Sequence, residues 1–109
     1  MNPSQKNNNP INLEYRGQPH ATADGRFAQF DTPWHGWDAA HKDLEAKQKQ
    51  GLTLRQAIFK FAPPVENNTN SYLENVAKWM NVDRDVPLSS LNVYALVGCM
   101  AQEEGYYVE

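Results

Sequence analysis

Apolar positions recur along this chain with two different periods, and the change of period divides it. Ile11, Leu13 and Tyr15 alternate with polar residues, the period of a short strand. Gly17 to Gly25 reads as a loop or turn. Arg26-Phe27-Ala28-Gln29-Phe30 reads as a second strand paired with the first in a small hairpin near the N-terminus. From Asp31 onward the spacing becomes helical. Asp31-Thr32-Pro33 is a start signal, with a capping side chain and then a proline whose missing N–H costs nothing in the first turn. Trp37, Ala40, His41 and Leu44 follow at i, i+3, i+4 and i+7, so a helix is predicted to run to about Gln50 and stop at Gly51. Thr53 and Gln56 form a capping box ahead of an apolar stripe at Leu54, Ala57, Ile58 and Phe61. Pro63-Pro64 ends that helix. A third starts near Thr69 and buries Tyr72, Leu73, Val76 and Met80.

The fourth helix is predicted from about Pro87 to Glu104. From Leu91 to Ala101 it is apolar almost all round, the signature of a buried central helix. Residues 1–9 are polar and read as an extended or mobile arm, leaving residues 10–109 as one domain. A chain of 109 residues supports one modest core.

Charge and composition narrow the function. A net charge of −3 provides no basic footprint for nucleic acid. Lys42, Lys47 and Lys49 lie among Asp43 and Glu45 and read as a solvated helix face. No apolar run approaches the ~20 residues of a membrane span, and no apolar leader follows Met1, so synthesis in a cytoplasm is expected. The lone Cys99 lies in the apolar helix and reads as core. His20, His35 and His41 show no metal-ligand spacing with cysteines or carboxylates, so neither a metal nor a cofactor is expected. Trp34 and Trp37 read as core or helix-edge packing.

Two stretches concentrate chemistry. The first is Glu103-Glu104-Gly105, at the end of the predicted buried helix. The negative end of the helix dipole, partial burial and a like-charged neighbour all push a carboxyl pKa upward, as a general acid near neutral pH requires. Adjacent helical residues are ~100° apart around the axis, so at most one of Glu103 and Glu104 faces a given groove. The plain alternative is a pair of solvated residues at a frayed helix end. The second stretch is Pro63-Pro64-Val65-Glu66-Asn67-Asn68-Thr69-Asn70-Ser71-Tyr72. Amides at Asn67, Asn68 and Asn70 with the Tyr72 ring suit a saccharide subsite. Equally, Asn68 or Thr69 can cap the third helix and Tyr72 can be core.

These blocks resemble a family of small bacteriophage and prophage virion structural proteins. Asn7-Asn8-Asn9-Pro10-Ile11-Asn12-Leu13 looks like its Asn-Asn-Pro-Gly-Asn opening, with Ile11 where the family favours glycine. Arg26-Phe27-Ala28-Gln29-Phe30-Asp31-Thr32 followed by Gly36 looks like its second block. Gly51-Leu52-Thr53-Leu54 and Phe61-Ala62-Pro63-Pro64-Val65-Glu66-Asn67-Asn68-Thr69 with Tyr72 look like its third, and Glu103-Glu104-Gly105 like its ending. The resemblance implies a virion component with other virion proteins as partners, made in a bacterial host cytoplasm.

A second resemblance is to lysozyme-like peptidoglycan hydrolases and lytic transglycosylases, in circularly permuted order, because the glutamate-bearing helix comes last. It is a fold-level analogy, so function must be argued from the site. It implies a mainly α (α+β), lysozyme-like domain built around a buried C-terminal helix. It further implies cleavage of peptidoglycan glycan strands with Glu103 as general acid/base. Glu66 or Glu104 would be the second carboxylate a hydrolase requires. Tyr72, Asn67, Asn68 and Asn70 would form one substrate-binding wall, and Asn8 and Asn12 the other. The competing expectation is a non-catalytic virion protein that uses the same shape to bind capsid or glycan. A third is an adaptor with no sugar site.

Overall fold

The computed structural model describes residues 1–107. Asn2 opens α1 (Pro3–Lys6) with a complete capping box, its side chain accepting from Gln5 N while the Gln5 side chain accepts from Asn2 N. The segment read as a mobile arm is therefore structured. Ser4, Asn7 and Asn9 are fully buried. Asn2 Nδ2 also donates to the Gly105 carbonyl at 2.7 Å, which ties this segment to the turn at Gly105.

The hairpin pairs β1 (Ala21–Asp24) with β2 (Phe27–Phe30), antiparallel, with Ala21 opposite Phe30 and Asp24 opposite Phe27. Gly25 takes φ +60° in the two-residue turn, a conformation that favours glycine. The expected first strand, Ile11 to Tyr15, is displaced from that role. It lies along the other edge of β2 as a bridge, with Tyr15 N donating to Arg26 O and Ala28 N to Leu13 O. Two asparagines in left-handed backbone, Asn8 (φ +49°) and Asn12 (φ +55°), steer the chain into that path. Asparagine tolerates this region because its short side chain bonds locally. The positive φ falls on these residues and not on Ile11, whose side chain is fully buried.

Asn9 holds this corner. Its Nδ2 donates to the Leu13 and Ala28 carbonyls, and its Oδ1 accepts from Leu13 N, all at 2.9 Å. Asn8 Nδ2 donates to the Phe30 carbonyl. The Asn8 carbonyl occupies the space where a side chain at Gly36 would begin, so only glycine lets the next helix pack this closely.

That helix, α2 (Pro33–Lys49), is capped by Thr32 and followed by Gly51 at φ +74°. Lys42–Asp38 and Lys47–Asp43 pair along it at i, i+4. The capping box at Thr53 and Gln56 opens α3 (Leu54–Phe61), and Asn68 caps α4 (Thr69–Met80). Asn81 closes α4 in left-handed backbone, with Val82 N returning to Ala77 O.

The last helix begins later than expected. Leu88–Ser90 form a 3-10 turn and Leu91 is extended. Asn92 then caps α5 (Val93–Glu103) by accepting from Ala95 N. The cap explains the break: a residue that caps has non-helical backbone, so α5 cannot extend back to Pro87. Nor is α5 buried all round. Leu96, Val97, Met100 and Ala101 are buried against α4 and α2, while Tyr94 and Ala95 are exposed. The core joins Ile11 and Phe30 to Leu44, Leu54, Ile58 and Leu73 and to this face of α5. The fold is a mixed α+β domain of five helices and one two-stranded sheet among the described residues.

Candidate functional site

Glu104 ends α5 under tight local control. Gly105 (φ +82°) turns the chain, Tyr106 N returns to Ala101 O, and Glu104 N bonds Met100 O. This closure aims the Glu104 side chain inward. Its Oε1 accepts from Asn12 Nδ2 at 2.9 Å. The Tyr72 ring lies beside it in the core, and the Tyr72 hydroxyl is buried without a hydrogen bond of its own. Burial pushes the Glu104 carboxyl above its ordinary value, and the Glu103 charge adds to this. Hydrogen bonding by Asn12 and the proximity of Tyr72 oppose the rise. Burial, then the Glu104 charge, pushes the Tyr72 hydroxyl well above its ordinary value.

Glu103 points elsewhere. Its Oε2 accepts from Asn75 Nδ2 on α4 at 3.0 Å. The two carboxylates thus diverge, as the ~100° step between helical neighbours requires. Of the residues read from sequence as a site, the structure brings together Glu104, Asn12 and Tyr72. Asn75 had no motif to mark it.

The others do different work. Glu66 is exposed and pairs with Arg26 at 2.7 Å. Asn67 Nδ2 donates to the Pro63 carbonyl, Asn68 caps α4, and Asn70 is exposed on its first turn. Asn8 is spent on Phe30. The amides before α4 therefore serve the loop and the helix start.

A cleft of about 950 Å³ adjoins the group of Glu104, Asn12 and Tyr72 through Asn12 and is lined in part by Glu14, Trp34, His35, Asp38 and Lys60. Glu103, Glu104 and Tyr72 do not line it. Trp34 is 77% exposed at its edge, contrary to the expectation of packing. Trp37 does pack against the core. Cys99 also packs there, half-buried, and burial raises its thiol.

The one group among the described residues with the donor set for a metal ion is His20, Asp31 and His35. The sequence spacing of the histidines did not suggest it, because Asp31 reads as a helix-start residue. The hairpin register brings His20 opposite Asp31, and one helical turn brings His35 back to it.

No family model matches the chain. It is similar to Protein P5 of Pseudoalteromonas phage PM2, with 29% identity over 109 aligned positions that cover 91% of this chain and 68% of that protein. That similarity supports reading the chain as a phage protein.

Proposed function

We propose that this chain is a structural component of a phage particle, seated against neighbouring virion proteins, and that Glu104 is an internal carboxyl of its framework. The observation that carries the proposal is an aromatic surface formed by α2, α5 and the turn that follows α5. Tyr94 is 67% exposed and Tyr107 is 55% exposed. Ring contacts link them through the chain Tyr94–His41–Trp37–Tyr107, with centroids 4.4, 6.2 and 6.3 Å apart. Exposed tyrosine and tryptophan clusters are the composition of protein interfaces. The closed setting of Glu104 supports the same reading, since its carboxylate is occupied by Asn12 and lies outside the cleft. Mass spectrometry of gradient-purified particles tests the proposal. The chain is expected at a fixed ratio to the major capsid protein, and its absence from particles contradicts the reading.

A second reading, cleavage of peptidoglycan glycan strands by a permuted lysozyme-like domain, draws on one observation. Burial moves the Glu104 carboxyl in the direction a general acid needs. In that reading Glu104, beside Asn12 and Tyr72, takes the role first given to Glu103. Product analysis on purified peptidoglycan separates the two readings.

A further inference from the structure

His20, Asp31 and His35 come from three different elements and meet at the open end of the hairpin. His20 precedes β1 and Asp31 follows β2. Their backbones continue the ladder by one bond, Asp31 N to His20 O at 3.0 Å. His35 lies in the first turn of α2, held by Thr32 Oγ1 at 3.1 Å from its Nδ1. The two imidazoles stack face to face, with centroids 3.6 Å apart and planes 3° from parallel. Both turn a nitrogen to the same carboxylate: His35 Nδ1 is 2.6 Å from Asp31 Oδ1, and His20 Nδ1 is 3.4 Å from Asp31 Oδ2. One donor atom from each residue falls within 4.8 Å of the others.

A helix start needs only part of this. Thr32 already caps α2, and an Asp31–His35 pair at i, i+4 is an ordinary addition to a first turn. His20 is the unexplained member. It adopts φ +64°, left-handed backbone that costs a non-glycine residue of order 1–3 kcal/mol in its sparsely populated forms. That backbone delivers its ring to the Asp31 carboxylate.

The geometry points to a divalent transition-metal site of two imidazoles and one carboxylate, with Zn²⁺ as the representative ion. Nitrogen donors select zinc and its neighbours over magnesium and calcium, which prefer all-oxygen shells. Zinc bonds of ~2.0–2.1 Å in tetrahedral array set donor atoms roughly 3.4 Å apart. His20 Nδ1 stands at this distance from Asp31 Oδ2, 3.4 Å, whereas His35 Nδ1 meets the other oxygen, Oδ1, so a single Asp31 oxygen must come to face both rings. The His35–Asp31 separation of 2.6 Å must widen and the stacked rings must splay until both in-plane Nδ1 lone pairs converge on the ion, movements that the half-exposed side chains of Asp31 and His20 allow. His20 and His35 both line the 950 Å³ cleft, so the fourth position opens toward it, the arrangement of a three-ligand site that keeps a place for water or another donor. On coordination through Nδ1, the neutral rings carry their protons on Nε2.

The test uses the full-length, tag-free protein and Zn²⁺ in isothermal titration, with Mg²⁺ as the control ion. One Zn²⁺ per chain is expected, with no comparable Mg²⁺ binding. His20→Asn keeps a residue that accepts left-handed backbone and removes the imidazole, and His35→Ala removes the other. Each is expected to weaken Zn²⁺ binding at least ~10-fold, the lower end of what losing even an outer-shell partner costs. His41→Ala, at a position within α2's aromatic surface and outside the His20–Asp31–His35 group, is expected to leave Zn²⁺ binding unchanged. Nitrogen-15 spectra should show two histidines shifting to the Nδ1-bound form with Zn²⁺. Absence of saturable Zn²⁺ binding by the wild-type protein, or binding undiminished in His20→Asn or His35→Ala, overturns the site. Circular dichroism on each variant separates lost ligation from lost folding.

Discussion

Asn12 Nδ2 donates to Glu104 Oε1 at 2.9 Å, a bond between residues 92 positions apart that joins the loop beside the hairpin to the end of the last helix. It takes up the one carboxylate among the described residues that burial raises above its ordinary pKa. The consequences of that contact, and of the asparagine-rich corner beside it, are open to measurement.

Stability should depend on the protonation of Glu104. Its folded pKa lies above the ordinary value of 4.5, so the folded state holds that proton more tightly than the unfolded chain does. Its contribution is then greatest below about pH 4.5 and is lost as pH rises through the folded pKa. Glu104→Gln mimics the protonated form and keeps an oxygen for Asn12. It is expected to raise the melting temperature over wild type at pH 7, with the gain shrinking toward pH 4. Differential scanning calorimetry across that range checks this. A variant equally destabilised at both pH values would refute the assigned role of burial.

Asn9→Ala leaves the Leu13 N–H and two buried carbonyls without their side-chain partner. A loss of about 3 kcal/mol is expected, and with it a fall in Tm of more than about 10 °C. Thermal denaturation followed by circular dichroism measures it. A fall under about 3 °C would show that water replaces the amide at little cost.

Gly36→Ala puts a methyl group into the Asn8 carbonyl. The helix or the loop must move, and the expected cost is about 2 kcal/mol or more. Gly98→Ala, in the same protein but with open space at its Cβ, provides the comparison. It is expected to stabilise by roughly 0.5–1 kcal/mol, as a mid-helix glycine replaced by alanine does. Urea denaturation of the pair checks both signs.

Local signals made much of this fold readable. The Thr53–Gln56 capping box, the proline after Thr32 and the glycine after α2 each act within one turn, and each sits where the sequence places it. What escaped depends on long-range partners. Nothing local distinguishes Asn7 and Asn9, fully buried, from asparagines of a solvated arm. Leu13 and Tyr15 alternate as a strand should, but which edge of β2 they join is decided by the left-handed turns at Asn8 and Asn12. The apolar run of Leu91 to Ala101 hid a cap at Asn92, because composition averages over the one residue that breaks the helix. In the candidate site, the sequence marked the carboxylate pair but assigned the acid's role to Glu103, whereas Glu104 is the one that burial raises. The choice between Glu103 and Glu104 required the turn at Gly105, and the partner Asn75 carried no sequence signal.

The aromatic surface predicts a separation of stability from assembly. Tyr94 is largely exposed and touches His41 by its edge. Tyr94→Arg is expected to change stability by no more than about 0.5 kcal/mol, as surface substitutions do. Incorporation into particles should nevertheless fall several-fold. Quantitative mass spectrometry of particles from a mixed wild-type and variant background reads the ratio directly. Equal incorporation would remove this surface from the interface.

The most direct test of Glu104 as a framework carboxyl is paired. Wild-type protein and Glu104→Gln are incubated with purified peptidoglycan, and soluble muropeptides, including anhydro forms, are quantified by mass spectrometry while the folding of both is monitored. The expected result is no release by either protein, together with a Glu104→Gln variant that is folded and more stable than wild type at pH 7. Release of glycan fragments by the wild type that disappears in a folded Glu104→Gln protein would contradict the account and make Glu104 a catalytic acid.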